Sequence, residues 1–425
     1  MRKANPVLAG NPTKPALPMQ TLELREYEPR EAPLSVEDRD TLRAAVPSLT
    51  VEPVIGQEAV YRLTPGSTVG ALELGDLAVS IRPKLEVSRV LFLASNAMGA
   101  FRLQEEPYAF KDEPTLVEAL APALVAAARR AFGRGLLHGY RTEEEALHTV
   151  RGRIMVAEQV RRRFDIPLPV EVRYDDFTDD ILPNRLVKAA ASVLGAMHIE
   201  VADAREGLRW MDATLGNVSL LRFSPLDVPA VAFNRLNEHY REVVELSRLI
   251  LRYRAIEMDR GGVRANGFLM DMNEVFQGFV TRALREALGV SDRTLRSDTS
   301  LPGTLWLDKG RQVRLRPDLS WWDGSICTFV GDAKYKRVQD KRVPNADLYQ
   351  MLAYATAFDL PGGLLAYAEG EERPVVHEVR NAGKRLEVAA VNLSGSIADI
   401  RASIDELAHS VQALRDEARQ LRHAA

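Results

Sequence analysis

The chain changes its hydrophobic period several times, and each change marks an element or a boundary. Between residues 21 and 105 the apolar runs are short. In VGALELGDLAVSIRPKL, Leu77, Val79 and Ile81 alternate with small or polar residues after Gly75-Asp76, so a β-hairpin is predicted there. From about residue 114 the spacing turns helical: LVEALAPALVAAARRAFGRGL carries apolar residues along one helix face and ends in glycines, which stop helices. The glycine cluster GRGLLHG at 133–139 therefore reads as helix stop and loop, not as a phosphate cradle. Residues 183–258 stay mainly helical, with NRLVKAAASVLGAMHI and NRLNEHYREVVELSRLILRYRAI the clearest amphipathic runs. RGGVRANG, near 260–267, breaks that pattern and reads as a linker. In DMNEVFQGFVTRALREALG the apolar side is Val275, Phe276, Phe279, Val280 and Leu284, with Gly289 as C-cap, and the period then returns to two.

These shifts divide the chain into an extension (1–20) expected to be disordered, a β-rich N-terminal domain (21–112), a mainly helical middle (113–262), a third domain (263–393) and a terminal helix (394–425). The class expected is a multidomain α+β or α/β protein. The terminal helix opens on a capping box, Ser396 with Asp399. Its positions Ile397, Ile400, Ile404, Leu407, Val411, Leu414, Ala418 and Leu421 alternate steps of three and four. Such a heptad seam either pairs with another helix or packs on its own domain.

Composition narrows the function classes. With 425 residues, 46% apolar and 27% charged, the chain resembles ordinary globular protein, and it has no apolar run long enough for a bilayer. A lone Cys327 forms no internal disulfide, and no Cys/His group has zinc spacing, which suits a reducing, cytoplasmic setting. The net charge of -3 requires any nucleic-acid contact to be local. The densest basic patch, Arg151, Arg153, Arg161, Arg162 and Arg163, is either a solvated face or such a contact.

Candidate chemistry lies in VRLRPDLSWWDGSICTFVGDAKYKR, two strand-like runs joined by Asp323-Gly324-Ser325. Pairing about that turn is expected to place Asp318 near Phe329 or Val330, a diagonal step from Asp332. Asp332 and Lys334, two apart on a strand, leave the same face. Paired carboxylates suit a hard Mg²⁺ ion, which activates water and stabilises a leaving oxyanion, and a nearby ammonium balances charge on a phosphate. Glu274 on the preceding helix is a further candidate, with Asp271 its competitor one turn earlier. Gln350 and Tyr354, four apart in ADLYQMLAYATAF, share a helix face.

This set resembles the PD-(D/E)xK nuclease superfamily: Pro317-Asp318, Asp332-Ala333-Lys334, the helical acid Glu274 and a RecB-like Q-x-x-x-Y motif at Gln350 and Tyr354. More of the chain resembles the McrC-like nuclease subunits of McrBC modification-dependent restriction systems, through ELGDLAVSIRPKL, YRTEEEALHTVRGRIMVAEQV, YDDFTDDILPNRLVKAA and VGDAKYK. The resemblance implies a mixed sheet flanked by helices in the third domain and a partner-binding N-terminal domain. It also implies metal ligation by Asp318, Asp332, the Ala333 carbonyl and Glu274, with Lys334 catalytic. Mg²⁺ is the implied cofactor, Mn²⁺ its substitute. The implied partners are DNA, modified in such systems, and an AAA+ GTPase subunit, McrB-like, on a separate chain, with two copies of this chain associating for double-strand cutting. No G-x-x-x-x-G-K-[ST] loop occurs, so no nucleotide site is expected here. The alternatives are a regulatory subunit of an AAA+ motor with little cleavage of its own, and a stand-alone RecB-like repair nuclease.

Overall fold

The structure, a computed structural model, describes residues 20–99, 115–253, 258–260, 263–301, 303–337, 343–369 and 375–424. The extension expected to be disordered lies, apart from Gln20, outside them.

The N-terminal elements are β1 (Gln20–Arg25), β2 (Arg30–Pro33), α1 (Val36–Ala45), β3 (Thr50–Pro53), β4 (Val60–Thr64), β5 (Thr68–Leu74), β6 (Leu77–Arg82) and α2 (Val87–Ala97). The β5–β6 hairpin turns at Gly75 as expected, with φ +56°. Then come α3 (Leu116–Phe132), β7 (Gly139–Leu147), β8 (Arg153–Ile154), α4 (Val156–Arg163), β9 (Val170–Thr178), α5 (Leu182–Gly195), α6 (Ala202–Thr214), α7 (Arg241–Arg252), β10 (Met258–Arg260) and β11 (Val263–Asp271).

The first sheet has the order β1-β6-β5-β11-β10, so it is closed by a strand from far along the chain. β11 runs antiparallel to β5, with Phe268 opposite Ala71. Gly70 permits this pairing, since it sits at φ +135° and a Cβ there would lie 1.9 Å from the Phe268 carbonyl oxygen. The stretch read as a linker and start of the third domain thus supplies a strand of the first sheet. Phe268 and Met270 face the helical core, whereas Leu269 packs on the small N-terminal core of Leu22, Leu42, Leu63, Leu72 and Ile81. One sheet therefore separates two cores, which is why the segment must be a strand.

The middle is not helical throughout. β7, β9 and β8 form a three-stranded antiparallel sheet that, with α4, leaves the body as an arm. Of residues 139–178 only Glu171 and Val172 are buried. Both faces of the arm are largely wet, so its strands lack the apolar alternation by which strands are read from sequence. Its base is tied down by Asp180, a buried carboxylate that accepts hydrogen bonds from Arg141, Arg185 and Ser219. Arg185 foremost among these donors holds the Asp180 carboxyl far below its ordinary range.

The C-terminal unit comprises α8 (Met272–Leu288), β12 (Leu295–Arg296), β13 (Leu305–Trp306), β14 (Arg314–Leu315), β15 (Leu319–Asp323), β16 (Ile326–Arg337), α9 (Asn345–Ala357), β17 (Gly362–Glu369), β18 (Val375–Val379), β19 (Lys384–Ala390) and α10 (Ile397–Ala424). Its mixed sheet has the order β12-β15-β16-β17-β19-β18, with β16, β17 and β19 mutually parallel. α8 and α9 flank it, and α10 packs on α8 and β16. Ile400, Ile404, Leu407, Val411 and Leu414 of the heptad seam are all buried within this chain. The seam is thereby used up on its own domain and is not free to pair with a second copy.

Candidate active site

The β15–β16 hairpin builds the centre of the site. Pairing closes at Asp323 opposite Ile326 around Gly324 (φ +65°), and Thr328 forms a bulge that shifts the register between Trp321 and Trp322. Leu319 then faces Gly331, which carries Asp318 to Asp332 and not to Phe329 or Val330 as expected: the two-residue turn moves the pairing to residue 331, and the bulge adds the last step. The backbone N–H of Ala333 donates to Asp318 Oδ2 at 3.0 Å. The Asp318 and Asp332 carboxyls are close enough to act directly on one another.

Two carboxylates in a dry site cannot both be ionised at ordinary cost. Burial, then the charge of Asp332, pushes the Asp318 carboxyl up to about 8, so the pair shares a proton. Lys334 forms an ion pair with Asp332. Burial alone would lower its pKa, but Asp332 and then Asp318 more than offset this and hold the ammonium charged above its ordinary value.

α9 supplies the other wall. Lys334 Nζ donates to Gln350 Oε1 at 3.1 Å, Gln350 Nε2 donates to Tyr354 Oη at 2.8 Å, and Tyr354 Oη donates to the Arg316 carbonyl at 2.9 Å. This chain of hydrogen bonds runs from the lysine back to the segment that carries Asp318. Burial, then Asp332, raises the Tyr354 phenol well above its ordinary range, so it stays a neutral donor.

Three neighbours were not foreseen from the sequence. Asp347, in the first turn of α9, is buried and accepts from Tyr367 Oη of β17 at 2.7 Å and from Lys336 Nζ at 3.3 Å. Lys336 follows Lys334 on the same side of β16, and the register of β16 against β17 slips between Lys334 and Arg337. The only sequence signal was spacing: Asp347 lies three residues before Gln350, hence on the same helix face.

No contact among the described residues joins Glu274 to this site. It is exposed on the first turn of α8, whose Phe276 packs on Tyr335, a residue on the face of β16 opposite Lys334. Asp271 caps α8, accepting from the Asn273 N–H and from Ser67 Oγ. Among the described residues no three His, Cys, Asp or Glu side chains are grouped to hold a metal. Asp318 and Asp332 nevertheless fit a hard divalent cation: they are oxygen donors, they are in contact, and a cation would replace the proton they share. The Ala333 carbonyl, water and a substrate oxygen are the ligands left to complete it, as suits Mg²⁺, which keeps several waters.

The basic patch lies on the arm and is largely neutralised. Arg151 pairs with Asp176 at 2.6 Å, Arg161 and Arg162 with Glu158 at 2.5 and 3.0 Å, and Arg163 with the buried Glu171 at 3.1 Å. Arg153 is exposed on β8.

Residues 63–368 match the family described as McrBC 5-methylcytosine restriction system component. The chain belongs to that family. It is 22% identical over 276 residues to the type IV methyl-directed restriction enzyme EcoKMcrBC of Escherichia coli (strain K12), which covers 61% of this chain and 78% of that protein. Its fold is similar, with TM-score 0.55 and 15% identity, to a chain in a refined half-complex from a tetradecameric assembly of Thermococcus gammatolerans McrB AAA+ hexamers with bound McrC. That superposition covers 91% of this chain and 100% of the other. No helix among the described residues is long and apolar enough to cross a membrane.

Proposed function

We propose that this McrBC-family chain is the McrC-like, DNA-cutting subunit of a modification-dependent restriction system, hydrolysing phosphodiesters at a PD-(D/E)xK-type centre. The observation that carries this reading is the convergence of Asp318, Asp332 and Lys334 on one sheet face, locked by Gln350 and Tyr354. Asp318, Asp332 and the Ala333 carbonyl would hold Mg²⁺ or Mn²⁺, which when bound supplies a Lewis acid for the phosphate and acidifies a water. Lys334 sets its charge beside the reacting phosphate, and Gln350 fixes the direction in which its ammonium points. Asp347 and Tyr367 keep Lys336 on the same side. With one proton shared between Asp318 and Asp332, the pair and Asp347 together balance Lys334 and Lys336, and a divalent ion in place of that proton would make the site attract phosphate.

Such a subunit works with a separate McrB-like AAA+ GTPase, the kind of assembly in which its structural neighbour occurs. The arm is the surface we assign to that partner, because Tyr140, Phe164 and Phe177 stand 77%, 73% and 61% exposed on it. The test is cleavage of methylated duplex DNA in Mg²⁺ by the full chain with the partner and GTP. Wild type cuts and Asp332→Ala does not. Partner GTP hydrolysis stimulated equally by both, with no cutting by either, would instead establish the regulatory subunit.

A further inference from the structure

The segment that leads into Asp318 is a second basic region, and unlike the arm it is not neutralised. β13 and β14 form a short hairpin in which Leu305 pairs with Leu315 and Trp306 with Arg314. Lys309 and Arg311 sit in its turn, Arg314 on β14, and Arg316 two residues before Asp318. All four side chains are exposed, and none has an ion-pair partner among the described residues. The one acid of the turn, Asp308, is occupied by backbone, accepting from the N–H groups of Gln312 and Val313 at 2.9 and 2.8 Å.

Alternation explains why the cations face outward together. Leu315 and Pro317 are buried, Leu315 in the core that also holds Met351 and Tyr354, while Arg314 and Arg316 are exposed in the run that leads into half-buried Asp318. Arg316 is pinned as well, because its carbonyl receives the Tyr354 hydroxyl at the end of the Lys334–Gln350–Tyr354 chain. A row of unpaired guanidinium groups thus ends at the carboxylate pair.

We infer that the β13–β14 hairpin, through Lys309, Arg311, Arg314 and Arg316, is the track that binds the phosphate backbone of duplex DNA and delivers it to Asp318 and Asp332. The inference rests on the nuclease reading for the identity of the polyanion. Unpaired surface cations gain far more from phosphate than cations already held by carboxylates, because no ion pair has to be broken first. The arm arginines are in the second condition.

The test is fluorescence anisotropy of a short labelled duplex with the full chain, Ca²⁺ replacing Mg²⁺ to leave the DNA uncut, across roughly 50–200 mM salt. Lys309→Gln/Arg314→Gln/Arg316→Gln is expected to weaken binding at least about tenfold and to flatten the salt slope by about three phosphate contacts. Arg314→Lys/Arg316→Lys should retain the slope, and Arg151→Gln/Arg161→Gln/Arg162→Gln should bind as wild type. Affinity and slope alike in wild type and the hairpin variant, including no binding by either, would overturn the inference. Cleavage of methylated duplex in Mg²⁺, with the AAA+ partner and GTP present, is scored separately. Lost affinity in the hairpin variant with no cutting by any protein keeps the track and removes the nuclease reading, whereas cutting with unchanged affinity does the reverse.

Discussion

The arm and the β13–β14 hairpin each carry several arginines, yet their electrostatic states are opposite. On the arm, Arg151, Arg161, Arg162 and Arg163 meet Asp176, Glu158 and Glu171, and the ion pairs stand in for a hydrophobic core whose one buried aliphatic side chain is Val172. On the hairpin, Leu315 anchors the strand in a real core, so its cations are spare. Density of Arg in a sequence therefore says little about polyanion binding until the acids facing it are known. The arm brings its own, Glu158 on α4 with Glu171 and Asp176 on β9, and the strands of the hairpin bring none.

The comparison breaks most visibly at the chemical centre the hairpin serves. Lys334→Met should lower the cleavage rate by about 10²–10³-fold, the usual loss for one preorganised charge donor, with DNA affinity in Ca²⁺ reduced far less. An equal effect on both would make Lys334 a binding residue and erase the distinction between track and centre.

A smaller effect is expected in the arm. Val172→Ala removes its one buried aliphatic side chain and should cost about 2 kcal/mol of local stability. Limited proteolysis would then cut within 139–178 while the body stays intact. Global unfolding at the same denaturant concentration as the arm would show that the arm is not a separately held unit. Asp180→Asn should loosen the same region at its base, because Arg141 and Arg185 would lose their shared carboxylate.

The third difference is pH dependence, confined to the site. Asp318 has a folded pKa raised by burial and by Asp332, so its contribution to stability is fully present below the unfolded carboxylate pKa and is lost as pH rises towards about 8. Without metal the melting temperature should fall over that window. Mg²⁺ competes with the shared proton, so its stabilising effect should grow with pH through the same range and be weak in mild acid. Asp318→Asn should abolish both trends. Arm variants should leave them unaltered.

How far the sequence speaks follows the same physics. Asp318, Asp332, Lys334, Gln350 and Tyr354 were legible because strand and helix periods put them on shared faces, and the structure brings them together. Their register was not, because the bulge at Thr328 inserts a residue that no local pattern announces. Asp347 and Tyr367 escaped because they meet only through tertiary packing of α9 on β17. The arm escaped for lack of apolar alternation, and β11 because a glycine-containing polar stretch reads as linker until Gly70 opens a place for it. Glu274 shows the converse: a helical acid upstream of the motif was legible, but no contact among the described residues joins it to the pair.

The most direct test of the account is the anomalous difference map of a crystal of the full chain soaked in Mn²⁺. The account predicts one strong peak between the Asp318 and Asp332 carboxylates, lost in Asp332→Asn. A peak elsewhere that survives Asp332→Asn, or no peak at that carboxylate pair, would contradict it.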